Sequence, residues 1–183
     1  GILGAARVTE RLIPAFANAR HAKLVGIASR RKGAASEALK RHAPSLGGVV
    51  THNELEELIS REDVDALYIP LSNAEHMEWT LKAIEQGKHV LCEKPLALNV
   101  SDIETLIDAA RSKQVKVMEG FMYRFHPQHS RVSELLESKL IGEIRSVRTS
   151  FSFMMKPARE YRIAAGIENG GGAIWDIGCY AIH

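Results

Sequence analysis

Cysteine is scarce: the 183-residue chain has two, Cys92 and Cys179, far apart, with no C-x-x-C pair and no histidine cluster at ligand spacing. That pattern offers neither a disulfide framework nor a zinc site, so no metal is expected and reduced thiols of a cytoplasmic protein are the simplest reading. Long apolar runs are also missing. None approaches the roughly 18 residues of a membrane span, and no signal-peptide pattern is visible. Neither sign of charge forms a block and the formal net charge is only +2, which gives no ground for a nucleic-acid or membrane partner. A small molecule is the expected partner. No internal repeat or low-complexity tract occurs. What is present, 45% hydrophobic and 25% charged residues, supplies a core for one domain and part of another. No methionine precedes Gly1, and Gly1-Ile2-Leu3-Gly4 reads as the end of a strand, so a piece of a longer chain is expected.

Short β-rich runs alternate with helical spacings from the start. Ile2-Leu3 ends a strand at Gly4, and Val8, Leu12 and Phe16 recur at i, i+4, i+8, predicting the buried face of a helix bent at Pro14. Further strands are expected over 24–28, 48–51, 64–69, 89–92 and 115–118. Helices between them are expected over 33–42, after a cap at Asn53, over 74–86 with Gly87 as stop, and over 101–112. This alternation predicts an α/β doubly wound parallel sheet covered on both faces. After Gly120 the pattern changes. A helix is expected over 128–139, then a long antiparallel strand over 144–155 with Val147, Thr149, Phe151, Phe153 and Met155 on one face. A glycine loop at 170–172 and a helix from Ala173 to His183 follow. Domains are accordingly placed at 1–120 and 121–183.

Four stretches could carry chemistry. Gly4-Ala5-Ala6-Arg7-Val8-Thr9 stands where a dinucleotide fingerprint belongs, between the first strand and its helix, where small residues let a pyrophosphate approach backbone N–H groups. Only the first glycine of that fingerprint is kept, and a ligand-free tight turn reads the same. At the end of the second strand, where a NAD site usually carries an acid, Ser29, Arg30, Arg31 and Lys32 suit a 2'-phosphate, favouring NADP over NAD; a solvated basic turn is the alternative. Glu93-Lys94-Pro95 closes the fifth strand, beyond whose carboxyl end ligands of such sheets bind. A lysine there can donate to an alcohol oxygen or lower a neighbour's pKa, or simply pair with Glu93. Finally, Asp176, Tyr180 and His183 are spaced to share one helix face, although a tyrosine or Trp175 on such a face can equally be core.

In order, GILGAARV, ASRRK, YIPLSNAEHMEWTLKAIEQGKHVLCEKPLALN, EGFMYRFHP and GGGAIWDIGCYAIH resemble the glucose-fructose oxidoreductase / inositol dehydrogenase (Gfo/Idh/MocA) family across the whole chain. Within it the likeness is greatest to the branch of NADP-dependent D-xylose 1-dehydrogenase and dimeric dihydrodiol dehydrogenase. The resemblance implies a Rossmann NAD(P)-binding domain, then the incomplete beginning of a substrate and oligomerisation domain with an open antiparallel sheet. It implies hydride transfer between NADP and an alcohol carbon of an aldose or cyclic diol, in a full-length homo-oligomer joined through that sheet. The chain alone is expected to bind cofactor weakly and to be inactive.

Carried over by position, the resemblance puts Gly4, Ala6, Arg7 and Val8 in the pyrophosphate turn and Ser29, Arg30 and Arg31 at the adenosine ribose. Leu71, Asn73 and His76 line the crevice, Glu93, Lys94 and Pro95 lie by the nicotinamide, and Arg124 is near the cofactor. Lys94, Tyr180 and Asp176 are the implied catalytic residues, with Trp175 and His183 facing substrate. Many family members carry a histidine at the position of Tyr180. A phenol, with a reference pKa near 10, needs a cation close by to act as base at neutral pH, and Lys94 is the expected one. The family also includes a cofactor-sensing transcriptional repressor, so a non-catalytic nucleotide-sensing regulator is the alternative function.

Overall fold

Six strands form one parallel sheet in the computed structural model, which describes residues 1–183. They are β1 (Ile2–Leu3), β2 (Gly26–Ala28), β3 (Val50–His52), β4 (Ala66–Ile69), β5 (His89–Cys92) and β6 (Val117–Glu119), in spatial order β3-β2-β1-β4-β5-β6. The register pairs Ile2 with Ile27 on one side and Tyr68 on the other, and Ile69 with Cys92. Because successive side chains point to opposite faces, a strand buried on both must be apolar throughout. The cores show this alternation. Ile2, Ile27 and Tyr68 join one buried cluster, while Leu3, Ala28, Leu67 and Ile69 join the other.

Helices α1 (Thr9–Ala15) and α2 (Ala34–His42) cover the first face through Ile13 and Ala35. The second face is covered by α3 (Leu55–Ile59), α4 (His76–Glu85) and α5 (Val100–Lys113), through Leu55, Leu58, Trp79, Ile84 and Leu106. A Cβ on Gly26 would stand 2.4 Å from a Leu58 methyl, so α3 lies against β2 only because that residue has no side chain. Two local expectations are corrected. The inward face of α1 is Thr9 and Ile13 with Leu12 and Phe16 half-buried, and Val8 is 43% exposed; Val8 precedes the helix as its N-cap, so the buried stripe starts one residue later. Glu54, not Asn53, caps α3, and the Asn53 Oδ1 accepts from the Gly33 N–H at 3.4 Å.

The chain divides into one unit of Gly1–Glu119, which holds the whole sheet, and a second of Gly120–His183. In the second, a 3-10 turn (Met122–Phe125) leads into α6 (Pro127–Glu137), which Pro127 opens because a first-turn position needs no N–H. Then come α7 (Tyr161–Ala164), a π-helical turn (Ile174–Gly178) and α8 (Cys179–Ile182). The strand expected over 144–155 does not form. Alternation alone cannot make a strand without a hydrogen-bonding partner, and residues 120–183 contain no other strand. Val147, Phe151 and Phe153 are exposed there.

Candidate functional site

The strand order reverses direction at β1 and β4, and in open α/β sheets the crevice beyond the carboxyl ends at that point is where ligands bind. β1 gives way to Gly4, whose φ of +121° is closed to side-chain-bearing residues and whose Cβ would press on Leu71 at 3.0 Å. The predicted crevice residue Leu71 therefore packs directly on the predicted turn. Gly4 N–H donates to the Ala28 carbonyl at 2.8 Å and Thr9 closes the turn onto the Ala6 carbonyl. Arg7 and Val8 are exposed and Ala6 is half-buried.

At the end of β2, Ser29 is buried and its hydroxyl accepts from the Arg31 N–H at 3.3 Å. Arg31 reaches back to donate to the Ala5 carbonyl at 2.6 Å, so the basic turn and the glycine turn are tied together. Arg30 forms an ion pair with Glu75, from the 3-10 turn Asn73–Glu75 after β4. Burial pushes the Glu75 carboxyl up, but hydrogen bonds from Ser72 and the Arg30 charge outweigh it and hold the group below its usual value. Asn73 lies half-buried in the same turn.

The loop after β5 is held at several points. Glu93 N–H donates to the Ile69 carbonyl at 3.0 Å, and the Tyr68 hydroxyl donates to Glu93 Oε1 at 2.6 Å. Leu96 N–H donates to Glu119 Oε1 at 2.8 Å. The buried His76 ring sits between the Pro95 carbonyl, 2.7 Å from Nδ1, and the Leu71 carbonyl, 3.0 Å from Nε2. One side chain thus joins the loops after β4 and β5. Lys94, between those anchors, is only 8% exposed, and the peptide to Pro95 is cis. Burial, and then the neighbouring Glu93 carboxylate, push the Tyr68 phenol well above its usual value. Burial pushes the Cys92 thiol to about 12, which leaves it an inert core residue.

In the second unit Tyr180 and His183 come together, while Asp176 is drawn elsewhere. His183 stacks on Phe121 at 4.3 Å between ring centroids and shares a hydrogen bond with the Tyr123 hydroxyl. Tyr180 packs edge-on against Phe121 and Tyr123 at 5.8 and 5.9 Å and tilts against Phe151 at 5.6 Å. Asp176 is buried and ion-paired with Arg162. The even helical spacing expected across Asp176, Tyr180 and His183 assumes 3.6 residues per turn; the π turn over Ile174–Gly178 adds a residue and shifts the register. Such turns are frequent at functional sites. Trp175 is half-buried and Arg124 is exposed in the 3-10 turn after Phe121.

Three residues escaped the sequence reading: Tyr68, Glu75 and Glu119. Each acts on a partner 23 to 45 positions away, which no local pattern displays. For Glu75 a signal existed, since Ser72-x-x-Glu75 is a capping box, readable from sequence as serine followed by glutamate at the third position.

Comparison with known proteins agrees with this architecture. Residues 1–121 match the model of an oxidoreductase family with an NAD-binding Rossmann fold, and residues 129–183 match the model of that family's C-terminal domain. A dTDP-3,4-didehydro-2,6-dideoxy-alpha-D-glucose 3-reductase of Actinomadura kijaniata is 40% identical over 100% of this chain and 53% of its own length. A D-xylose 1-dehydrogenase (NADP(+)) of Haloferax volcanii is 39% identical over 100% of this chain and 54% of its own. The crystal structure of the 3-ketoreductase KijD10 from Actinomadura kijaniata, in complex with NADP and TDP-benzene, superposes with a TM-score of 0.87 at 38% identity, covering 98% of this chain and 54% of that one. The chain spans about half the length of these relatives. With both family models matched in sequence order upon a six-stranded parallel sheet, the chain belongs to the Gfo/Idh/MocA oxidoreductase family.

Proposed function

We propose that the protein is an NADP-dependent oxidoreductase acting between a nicotinamide cofactor and an alcohol carbon of a sugar or cyclic diol. Residues 1–120 hold the cofactor, and residues 121–183 belong to the substrate and oligomerisation domain. The observation that carries this reading is the carboxyl edge of the sheet. There a glycine turn on β1, an acid-free basic turn on β2 and the pinned Glu93-Lys94-Pro95 loop on β5 follow the strand ends along one edge of the sheet. The residues present fit a dinucleotide: Gly4 makes the tight positive-φ turn on β1 in which a Cβ would press on Leu71, and Ser29, Arg30 and Arg31 offer hydroxyl and guanidinium donors to a ribose phosphate. Leu71 and Asn73 would line its path, the buried His76, assigned to the crevice from sequence, holding the loops beneath them, with Ala6, Arg7 and Val8 at the pyrophosphate and Arg124 assigned to the cofactor as well. The names of the similar xylose dehydrogenase and of the NADP-bound ketoreductase support NADP and a sugar.

The bound nicotinamide supplies the two-electron acceptor or donor. The protein's part is to hold the alcohol and move its proton. Lys94 is assigned to the reacting oxygen, where its ammonium favours developing negative charge. Tyr180 is assigned to take the hydroxyl proton, with His183 and Trp175 toward substrate. These roles rest on the motifs that carry the residues. Asp176 already serves Arg162, so we assign it to holding the turn that carries Tyr180. An assay at the reduced-nicotinamide absorbance band, run on the full-length protein over a panel of aldoses, nucleotide sugars and cyclic diols, tests the reading. Turnover is expected for at least one alcohol of the panel with NADP, or for at least one of the corresponding ketones with NADPH. Tight cofactor binding with no turnover of any would instead favour a nucleotide-sensing regulator.

A further inference from the structure

Glu75 has been given no role toward the cofactor, yet it holds one of the two arginines offered to it. Arg30 lies two residues beyond β2 and Glu75 in the turn after β4, and these strands flank β1. Their ion pair therefore ties the loops on either side of the glycine turn. We propose that Glu75 is a cofactor-specificity residue: its carboxylate stands in for the 2'-phosphate on Arg30, so that NADP must displace it and NAD leaves it in place. The inference rests on reading this edge as a dinucleotide site.

The two sides of the pair are unequally held. Glu75 Oε2 accepts from the Ser72 hydroxyl at 2.5 Å and from its N–H at 3.4 Å, which fixes the carboxylate to the start of α4. The Arg30 side chain is 53% exposed and ends a flexible stem, so the guanidinium is the part that moves. Arg31, the other arginine of the turn, donates to the Ala5 carbonyl. Both arginines are thus engaged by acceptors of the chain itself. A guanidinium uses the same planar fork for carboxylate and phosphate, so the two anions compete for Arg30. The ribose hydroxyls of NAD carry no charge and enter no such competition.

The strength of the pair sets the size of the effect. Exposed ion pairs are weak, and losing the competitor should tighten NADP about two- to fivefold. The test is calorimetric or fluorescence titration of NADP and of NAD into the full-length protein, its E75Q and E75L variants, R30M, and the E75Q/R30M double variant. E75Q keeps the shape of the capping side chain; E75L gives a second reading should E75Q fold poorly. The expected result is tighter NADP with unchanged NAD in both Glu75 variants, and disappearance of that gain in the R30M background. Weaker NADP on losing Glu75 would show that it positions Arg30 instead, and would overturn the inference. Equal gains for both cofactors, or a gain that persists without Arg30, would overturn it as well. A parent protein that binds neither dinucleotide would overturn the functional reading, and this inference with it.

Discussion

The two units of the chain use patterned sequence to different effect. In Gly1–Glu119 every strand finds a neighbour within the unit, and the apolar residues of both periodicities are buried: Ile2, Leu3, Ile27, Ile69 and Ile84 are all 0% exposed. In Gly120–His183 the same kinds of residue stay in solvent. Leu140 is 72% exposed, Val147 75% and Met154 92%. Phe121 is the one large apolar side chain buried there, with Tyr123, Tyr180 and His183 around it. A hydrophobic period states which face wants burial; only a partner surface converts it into structure.

The most disruptive way to probe the first unit is at its catalytic candidate. Lys94→Met in the full-length protein should lower turnover by about 10²-fold or more, with NADP affinity changed little; Tyr180→Phe, in the second unit, should do likewise. Steady-state kinetics beside cofactor titration check both, and substantial activity in either variant would move proton transfer elsewhere, with His183 next. The core comes next in size. Ile84→Ala should cost about 2–5 kcal/mol, by lost transfer energy and a residual cavity, whereas Met154→Ser, on a side chain already in water, should stay within about 0.5 kcal/mol. Denaturant melts that gave the two substitutions equal costs would break the contrast between the units.

Alkaline titration addresses the same core through Cys92. Its folded pKa, about 12, lies above the free-thiol value near 9, so the native state keeps a proton that the unfolded chain releases. Stability is therefore full below about pH 9 and falls as pH rises toward 12, by at most about 1.4 kcal/mol per pH unit. Cys92→Ala should flatten that slope in melts recorded across the range. The effect expected at Tyr68 is smaller than that at Ile84. Tyr68→Phe removes its hydrogen bond to Glu93 and should cost about 1–2 kcal/mol, with a larger fractional loss in turnover than in NADP affinity if the bond serves to place the Glu93-Lys94-Pro95 loop.

Much of the first unit was legible because its signals are local. Strand-ending glycines, the alternation of Ile2-Leu3 and of Leu67-Tyr68-Ile69, and Gly87 as a helix stop each state their role within a few residues. The carboxyl edge of β5 was legible for the same reason, as Glu93, Lys94 and Pro95 arrive together where a strand must end. What could not be read were pairings at long range. Glu75 with Arg30, Tyr68 with Glu93 and Glu119 with Leu96 depend on strand order, and Asp176 with Arg162 depends on how the second unit folds. The strand expected over 144–155 failed on the same ground, since its alternation was clear and its partner was not. The π turn before Tyr180 has no local signature in the residues that form it.

The carboxyl edge of the β3-β2-β1-β4-β5-β6 sheet, we propose, is built for a 2'-phosphorylated dinucleotide. Titrating NADP and NAD separately into the full-length protein tests it most directly. With Ser29, Arg30 and Arg31 where an acid would hold a bare ribose, NADP should bind about ten- to a hundredfold more tightly; equal affinities, or tighter NAD, would contradict it.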